Sequence, residues 1–145
     1  MTVRTAEPED AEVLAVISAA SLSEKWNSRD FLSTMETTGG QVICAEEQDQ
    51  IVGYAVFYHA ADEAELTGIA VLPDRRRCGA GRLLMEEMIR RLKEMQIRKV
   101  FLEVRATNEP AHALYGKFGF LTVGVRPGFY SAPKEDADLM ALAML

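Results

Sequence analysis

Ile69-Ala70-Val71-Leu72-Pro73-Asp74-Arg75-Arg76-Arg77-Cys78-Gly79-Ala80-Gly81-Arg82-Leu83-Leu84 changes character twice. Its apolar start, stopped by Pro73-Asp74, reads as the end of a strand. A basic, glycine-containing loop follows over Pro73–Gly81, and Arg82–Met95 reads as a helix with Leu84, Met88, Leu92 and Met95 in one apolar stripe. The opposite face sets Arg82/Glu86, Glu86/Arg90 and Glu87/Arg91 at i,i+4 spacing. Gly79 and Gly81 lack Cβ, so the loop can turn tightly and bring backbone N–H groups to a ligand at the positive end of the helix. That arrangement suits a pyrophosphate. It is not a Walker loop, since no Gly-Lys-Ser/Thr follows, and not a dinucleotide fingerprint, since the third glycine is missing.

Upstream of this stretch the chain alternates short strands and helices. Thr2–Thr5 reads as a strand, and Glu7–Ala20 as a helix with Pro8 in its first turn and Val13, Leu14, Ile17 and Ala20 at helical spacing. A second short helix is expected at Ser28–Thr37. Gln41–Glu46 and Ile51–His59 read as a hairpin around Asp49-Gln50, and Glu65–Leu72 as the third strand of an antiparallel meander. Downstream, Lys99–Arg105 is a strand, Asn108–Phe118 a helix ended by Gly119, and Phe120–Val125 and Asp138–Met144 two more strands. A helix joining two strands over this distance implies a right-handed crossover and a parallel pair. The expected class is therefore α/β, or α+β by some conventions: a mixed, mostly antiparallel sheet flanked by about four helices in a single domain over residues 1–145.

Composition excludes several classes. With 145 residues, 48% of them hydrophobic and 26% charged, the chain can bury one core without disulfides or metals. It has no apolar run near membrane-spanning length, and Glu7, Glu9, Asp10 and Glu12 stand where a signal peptide would be basic, so a cytoplasmic protein with no membrane partner is expected. Cys44, Cys78, His59 and His112 show no ligand-like spacing, so no metal is expected. Neither cysteine is assigned as a nucleophile. Residues 1–70 hold 13 acids against 3 bases, and residues 71–145 hold 9 against 13. The basic half suits an anionic ligand, while the acidic half suits a cationic substrate. Nucleic acid is disfavoured because the bases lie mostly in one loop and one helix without interleaved aromatics.

Two further residues stand out. Val100, Leu102 and Val104 alternate with Phe101, Glu103 and Arg105, so Glu103 puts a carboxylate in an otherwise apolar central strand. It is a candidate general base, or else the partner of Arg105 or another cation. Tyr115 follows Asn108 by seven residues, almost two helical turns, so both project from one face. A phenol near pKa 10 is a candidate donor to a thiolate whose conjugate acid lies near about 8.5. Equally, Leu114, Tyr115 and Phe118 form a helical core stripe.

Arg76-x-x-Gly79-x-Gly81, after Ile69-Ala70-Val71 and Pro73-Asp74, resembles the acetyl-coenzyme A signature of the GCN5-related N-acetyltransferases. Leu102–Asn108, Ala113–Phe120 and Glu135–Met140 are similar to the same family, in particular its RimI-type ribosomal-protein alanine N-acetyltransferases. The resemblance implies a parallel strand pair that splays to admit the cofactor's amide arm, and direct acetyl transfer from acetyl-coenzyme A to a primary amine. It further implies that Ile69, Ala70 and Val71 bind the pantetheine arm and thioester, that Arg76, Arg77, Cys78, Gly79, Ala80, Gly81 and Arg82 surround the pyrophosphate, and that Asn108 contacts the pantetheine side. Glu103 then resembles the base and Tyr115 the acid.

Trp26, in Ser23–Phe31, and Phe129 and Tyr130, in the loop Arg126–Pro133, are candidate acceptor-binding residues. RimI-type enzymes usually carry Pro before this Trp and a Tyr-Tyr pair, where this chain has Lys25 and Phe129-Tyr130. The expected acceptor is the N-terminal alanine of a ribosomal protein. A small amine, an amino acid or a lysine side chain is the alternative acceptor, and a non-catalytic acyl-coenzyme A sensor the alternative function.

Overall fold

The computed structural model describes residues 1–21, 25–76 and 78–144. Its seven strands are β1 (Thr2–Thr5), β2 (Gly40–Glu47), β3 (Gln50–Ala60), β4 (Glu63–Val71), β5 (Lys99–Arg105), β6 (Leu121–Tyr130) and β7 (Glu135–Ala143). They form one sheet in the order β1-β2-β3-β4-β5-β7-β6, parallel between β4 and β5 and antiparallel elsewhere. The helices are α1 (Ala11–Ala19), α2 (Ser28–Glu36), α3 (Ala80–Glu94) and α4 (Glu109–Lys117). The mixed α/β class, the meander and the single parallel pair agree with the sequence reading.

Two cores lie on opposite faces of the sheet. Leu84, Met85, Met88 and Leu92 of α3 pack with Ile43, Phe57, Leu66, Val100 and Leu102 on one face. On the other, Leu14 and Ile17 of α1 and Phe31 of α2 pack with Val42, Cys44, Tyr54 and Val56. Period-2 alternation along β5 decides which face each side chain joins: Val100, Leu102 and Val104 are buried, while Phe101, Glu103 and Arg105 are half-buried on the other side. In α2, Asn27 Oδ1 accepts the Asp30 N–H and Asp30 Oδ2 accepts the Asn27 N–H, each at 2.9 Å, a reciprocal cap.

Several expected boundaries shift for local reasons. The first helix opens as a 3-10 turn at Pro8–Asp10, and its buried stripe is Ala11, Leu14, Ile17 and Ser18, leaving Val13 and Ala20 exposed. Gln48 and Asp49 both take positive φ, placing the β2–β3 turn one residue earlier than expected. The largest correction concerns Arg126–Pro133, expected as a loop. There β6 continues to Tyr130, pairing Arg126 with Ala137 and Tyr130 with Glu135. Pro127 is tolerated because β6 is an edge strand, and a register irregularity between Arg126 and Tyr130, with Gly128 at φ 60°, absorbs the bend. Correspondingly, β7 begins at Glu135 instead of Asp138.

No described helix is long and apolar enough to cross a membrane. Leu84 is fully buried in the larger core, so Leu84→Ala is expected to destabilise the fold by about 2–5 kcal/mol, read as a lower urea midpoint at unchanged m-value.

Candidate active site

β4 and β5 pair only over Glu63–Leu66 and Lys99–Leu102. Beyond those residues β4 runs to Val71 and β5 to Arg105 without a ladder between them, while Gly68–Val71 keep their pairing to Gly53–Val56 of β3. The strands therefore splay, and the β5-facing backbone edge of β4 has no strand partner there. A cavity of about 740 Å³ fills the gap, lined by Ile69, Ala70 and Val71 on one wall and Leu102, Glu103 and Val104 on the other. It reaches α3 and α4 on one side of the sheet and Trp26 and Tyr54 on the other.

At one end of the cavity stands the N-terminus of α3. Gly79 is its N-cap at φ 92°, a left-handed conformation that a side chain would strain. The first intrahelical bond runs from the Leu83 N–H to the Gly79 carbonyl at 3.0 Å. Among the described residues no side chain caps this terminus, and no acidic residue sits in its first turn, so the leading N–H groups remain available at the positive end of a four-turn helix. Ala80, Gly81 and the exposed Arg76 line the cavity here. Arg75 lines it too, though paired with Glu47, whereas Cys78 is exposed with Sγ donating to the Arg75 carbonyl and Arg82 points outward to Glu86 at 3.1 Å. Arg77 lies outside the described residues.

Further along the cavity, two carboxylates and a phenol face the splay. Glu103, with 17% of its side chain exposed, lies 2.8 Å from Arg126 Nε through its Oε2. Of the partners the sequence left open, Arg105 or another cation, it is another cation, Arg126, that pairs with Glu103; Arg105 is bound to Glu135 and the Pro133 carbonyl and stacks 4.5 Å from the Tyr130 ring. The Arg126 N–H is not directed at Oε2, which is shielded from solvent yet accepts no hydrogen bond. Such an oxygen gains most from an incoming N–H donor. Glu65 also lines the cavity, and burial, with Glu103 nearby, pushes its carboxyl up despite Arg126. Two carboxylates sharing one guanidinium leave a net negative charge suited to an ammonium.

Tyr115 is 6% exposed and packs against Phe120 at 6.0 Å as the core stripe requires, and it also lines the cavity. Burial pushes its phenol up, which keeps it protonated near neutrality. Asn108, the N-cap of α4, receives the Ala111 N–H on Oδ1 at 3.2 Å and also lines the cavity. Trp26 and Phe129 join the lining, as does Tyr130. Trp26 also packs on Phe31 at 5.4 Å, so it anchors α2 while facing the site; its neighbours Ser23 and Glu24 lie outside the described residues. A second cavity of about 580 Å³ shares Glu65, Leu102 and Glu103 with the first and opens beside Tyr58, His59 and Arg126.

Glu65 and Arg126 escaped the sequence reading. Glu65 stood at the head of an apolar strand, where a charge marks a boundary, and Arg126 stood in a segment expected to be a loop.

Comparison with known proteins gives one consistent result. The profile described as the acetyltransferase (GNAT) family matches residues 9–120. The chain belongs to that family. It is 32% identical over 139 residues to a Bacillus subtilis protein provisionally named ribosomal protein bS18-alanine N-acetyltransferase, covering 95% of this chain and 92% of that one. Against the bS18-alanine N-acetyltransferase of Haemophilus influenzae it is 42% identical over 98 residues, 66% of each chain. The crystal structure of the S18-alanine N-acetyltransferase of Escherichia coli superposes with a TM-score of 0.90 at 31% identity, covering 99% of this chain and 95% of that one. The protein is an acetyl-coenzyme A-dependent N-acetyltransferase.

An uncapped helix N-terminus beside an unpaired strand edge fits the diphosphate and amide arm of the GNAT co-substrate. Gly79→Ala places a Cβ at a φ that costs about 1–2 kcal/mol, which the free loop relieves and binding must reimpose. Coenzyme A is accordingly expected to bind about tenfold more weakly to this variant in calorimetry.

Proposed function

We propose that this acetyltransferase modifies a protein N-terminus, the N-terminal alanine of a ribosomal protein being the favoured acceptor, in a ternary complex without a covalent enzyme intermediate. One observation carries this reading: Glu103 lies where the two cavities meet, so one cavity can hold the donor while the acceptor amine arrives through the other. The names of the relatives support the same acceptor. Within this reading Ile69, Ala70 and Val71 offer strand backbone to the pantetheine amides. Gly79, Ala80 and Gly81 receive the diphosphate on backbone N–H groups, with Arg76 beside them supplying positive charge; Arg77, Cys78 and Arg82 are their neighbours in sequence. Asn108 retains its Nδ2 donors, because only Oδ1 is used in the cap.

Acetyl-coenzyme A supplies a thioester whose carbonyl carbon is open to amine attack. Glu103 accepts the N–H proton that the amine loses as the C–N bond forms. Tyr115 donates to the sulfur as the C–S bond breaks. A phenol held above the thiol range of about 8.5 first stabilises the departing thiolate by hydrogen bonding, since full proton transfer is uphill. An α-amine titrates at about 7.7–8.0 against about 10.4 for lysine, so a carboxylate has less deprotonation to drive for an N-terminal acceptor. Trp26, Phe129 and Tyr130 line the first cavity and not the second, so within this reading they meet the acceptor only where it reaches the thioester.

The deciding experiment measures thiol release from acetyl-coenzyme A with a hexapeptide beginning Ala-Arg-Tyr, free or N-terminally blocked. Release with the free peptide alone is the expected result. Release with free lysine or small amines but not the peptide overturns the protein acceptor. No release with any amine, in protein that binds the donor, favours a sensor. Glu103→Gln and Tyr115→Phe should each lower kcat by about a hundredfold or more at unchanged coenzyme A affinity.

A further inference from the structure

Helix α4 carries Tyr115 and is capped by Asn108, yet Tyr115 is its one buried residue. Ala111 and Leu114 are half-buried against the core, and a nine-residue helix so lightly buried gains from a further, polar hold on the sheet. That hold is His112, four residues after Asn108 and three before Tyr115, and therefore on the same side of the helix. Its Nε2 lies 2.8 Å from Asp138 Oδ2 on β7, and its Nδ1 lies 2.8 Å from the Asn108 carbonyl oxygen. His112 does not line either cavity.

The donor arithmetic is decisive. A carbonyl oxygen and a carboxylate both only accept, so both ring nitrogens must donate for the bridge to be complete. Neutral imidazole has one N–H; imidazolium has two. The charged groups acting on the ring are Asp138 from β7 and Glu109 from α4, while the sheet neighbours of Asp138 are Val104 on β5 and Val125 on β6. The Asn108 carbonyl first, then the Asp138 carboxylate, holds the ring protonated above its ordinary value, against burial.

We infer that the His112–Asp138 bridge is a positioning device for transfer: the protonated ring ties α4 to β7 and sets Asn108 and Tyr115 against the donor cavity, and the neutral ring releases one of its two bonds. This rests on the roles proposed above for Asn108 and Tyr115. The folded-state preference for the proton is raised, so the tie is complete below the unfolded histidine value of about 6.5 and is lost as pH rises through the higher folded value. Amine deprotonation runs the other way, so the effect shows as a ratio between variants.

Asp138→Asn isolates it. The amide can donate to a neutral Nε2 while Nδ1–H still donates to the Asn108 carbonyl, so the bridge survives deprotonation. Between about pH 6 and 9, kcat of the unmodified enzyme relative to this variant is expected to fall about three- to tenfold. A ratio independent of pH overturns the inference. Nitrogen-15 NMR of the full chain supplies a readout that needs no turnover: both His112 ring nitrogens lose their shared protonated state at a midpoint above about 6.5, with the Tyr115 and Asn108 signals shifting at the same midpoint. A His112 midpoint at or below about 6.5, or Tyr115 signals indifferent to it, also overturns it. Tyr115→Phe with undiminished turnover would instead remove the acid role and leave the NMR result standing.

Discussion

Everything at the site depends on where one strand pairing stops. Parallel hydrogen bonding between β4 and β5 ends at Leu66 and Leu102, and past that point the two strands diverge while each keeps its ladder on the far side. An unpaired strand edge inside a protein is costly unless water or a ligand satisfies it. Here the cost is limited to the short stretch Thr67–Val71, and β3 holds that stretch rigid from behind. The irregularity between Val56 and Phe57, where the Thr67 hydroxyl donates to the Val56 carbonyl at 3.1 Å, bends β4 where it leaves β5. A site built on strand backbone needs few special side chains, and so Ile69, Ala70 and Val71 look ordinary in sequence.

Much of the fold was legible because its signals are local. Alternation in β5, the helical stripe of α3 and the glycine loop between strand and helix each depend on neighbours within a few residues. The same locality exposed Glu103, since a carboxylate amid Val100, Leu102 and Val104 contradicts its own strand. Arg126 was hidden for the opposite reason. Pro127-Gly128 reads as a turn when taken locally, and only the edge position of β6, a property of the whole sheet, makes it a strand. The partner of Glu103 was therefore sought at Arg105, whose side chain is claimed by Glu135, the Pro133 carbonyl and the Tyr130 ring. His112 and Asp138 are 26 residues apart and lie on different elements, so no periodicity connects them.

The halves of the chain differ in charge, and the fold gives that difference a direction. The basic loop and open α3 terminus form one end of the cavity, whereas Glu65 and Glu103 form the region it shares with the second cavity. A donor with an anionic tail and an acceptor with a cationic head are thus each drawn to opposite ends of a continuous space. Orientation comes from this polarity before any close contact is made. Arg126 moderates it: a shared guanidinium keeps two neighbouring carboxylates from being left with uncompensated like charge.

The proposed acid and the proposed base also come from elements held by different means. Glu103 belongs to β5, a central strand bonded along one edge to β7, so its position is as rigid as the sheet. Tyr115 belongs to a short helix held by its own ring against Phe120, by Ala111 and Leu114 half-buried against the core, and by the bridge from His112. Attack on a thioester requires a proton acceptor on the amine side and a donor on the sulfur side, with the carbonyl carbon between them. In the proposed roles, a fixed base with a donor on a tethered helix meets that demand and concentrates adjustable geometry on the leaving-group side. Changes that loosen α4 should therefore act on thiolate departure while leaving the place where the amine is received intact.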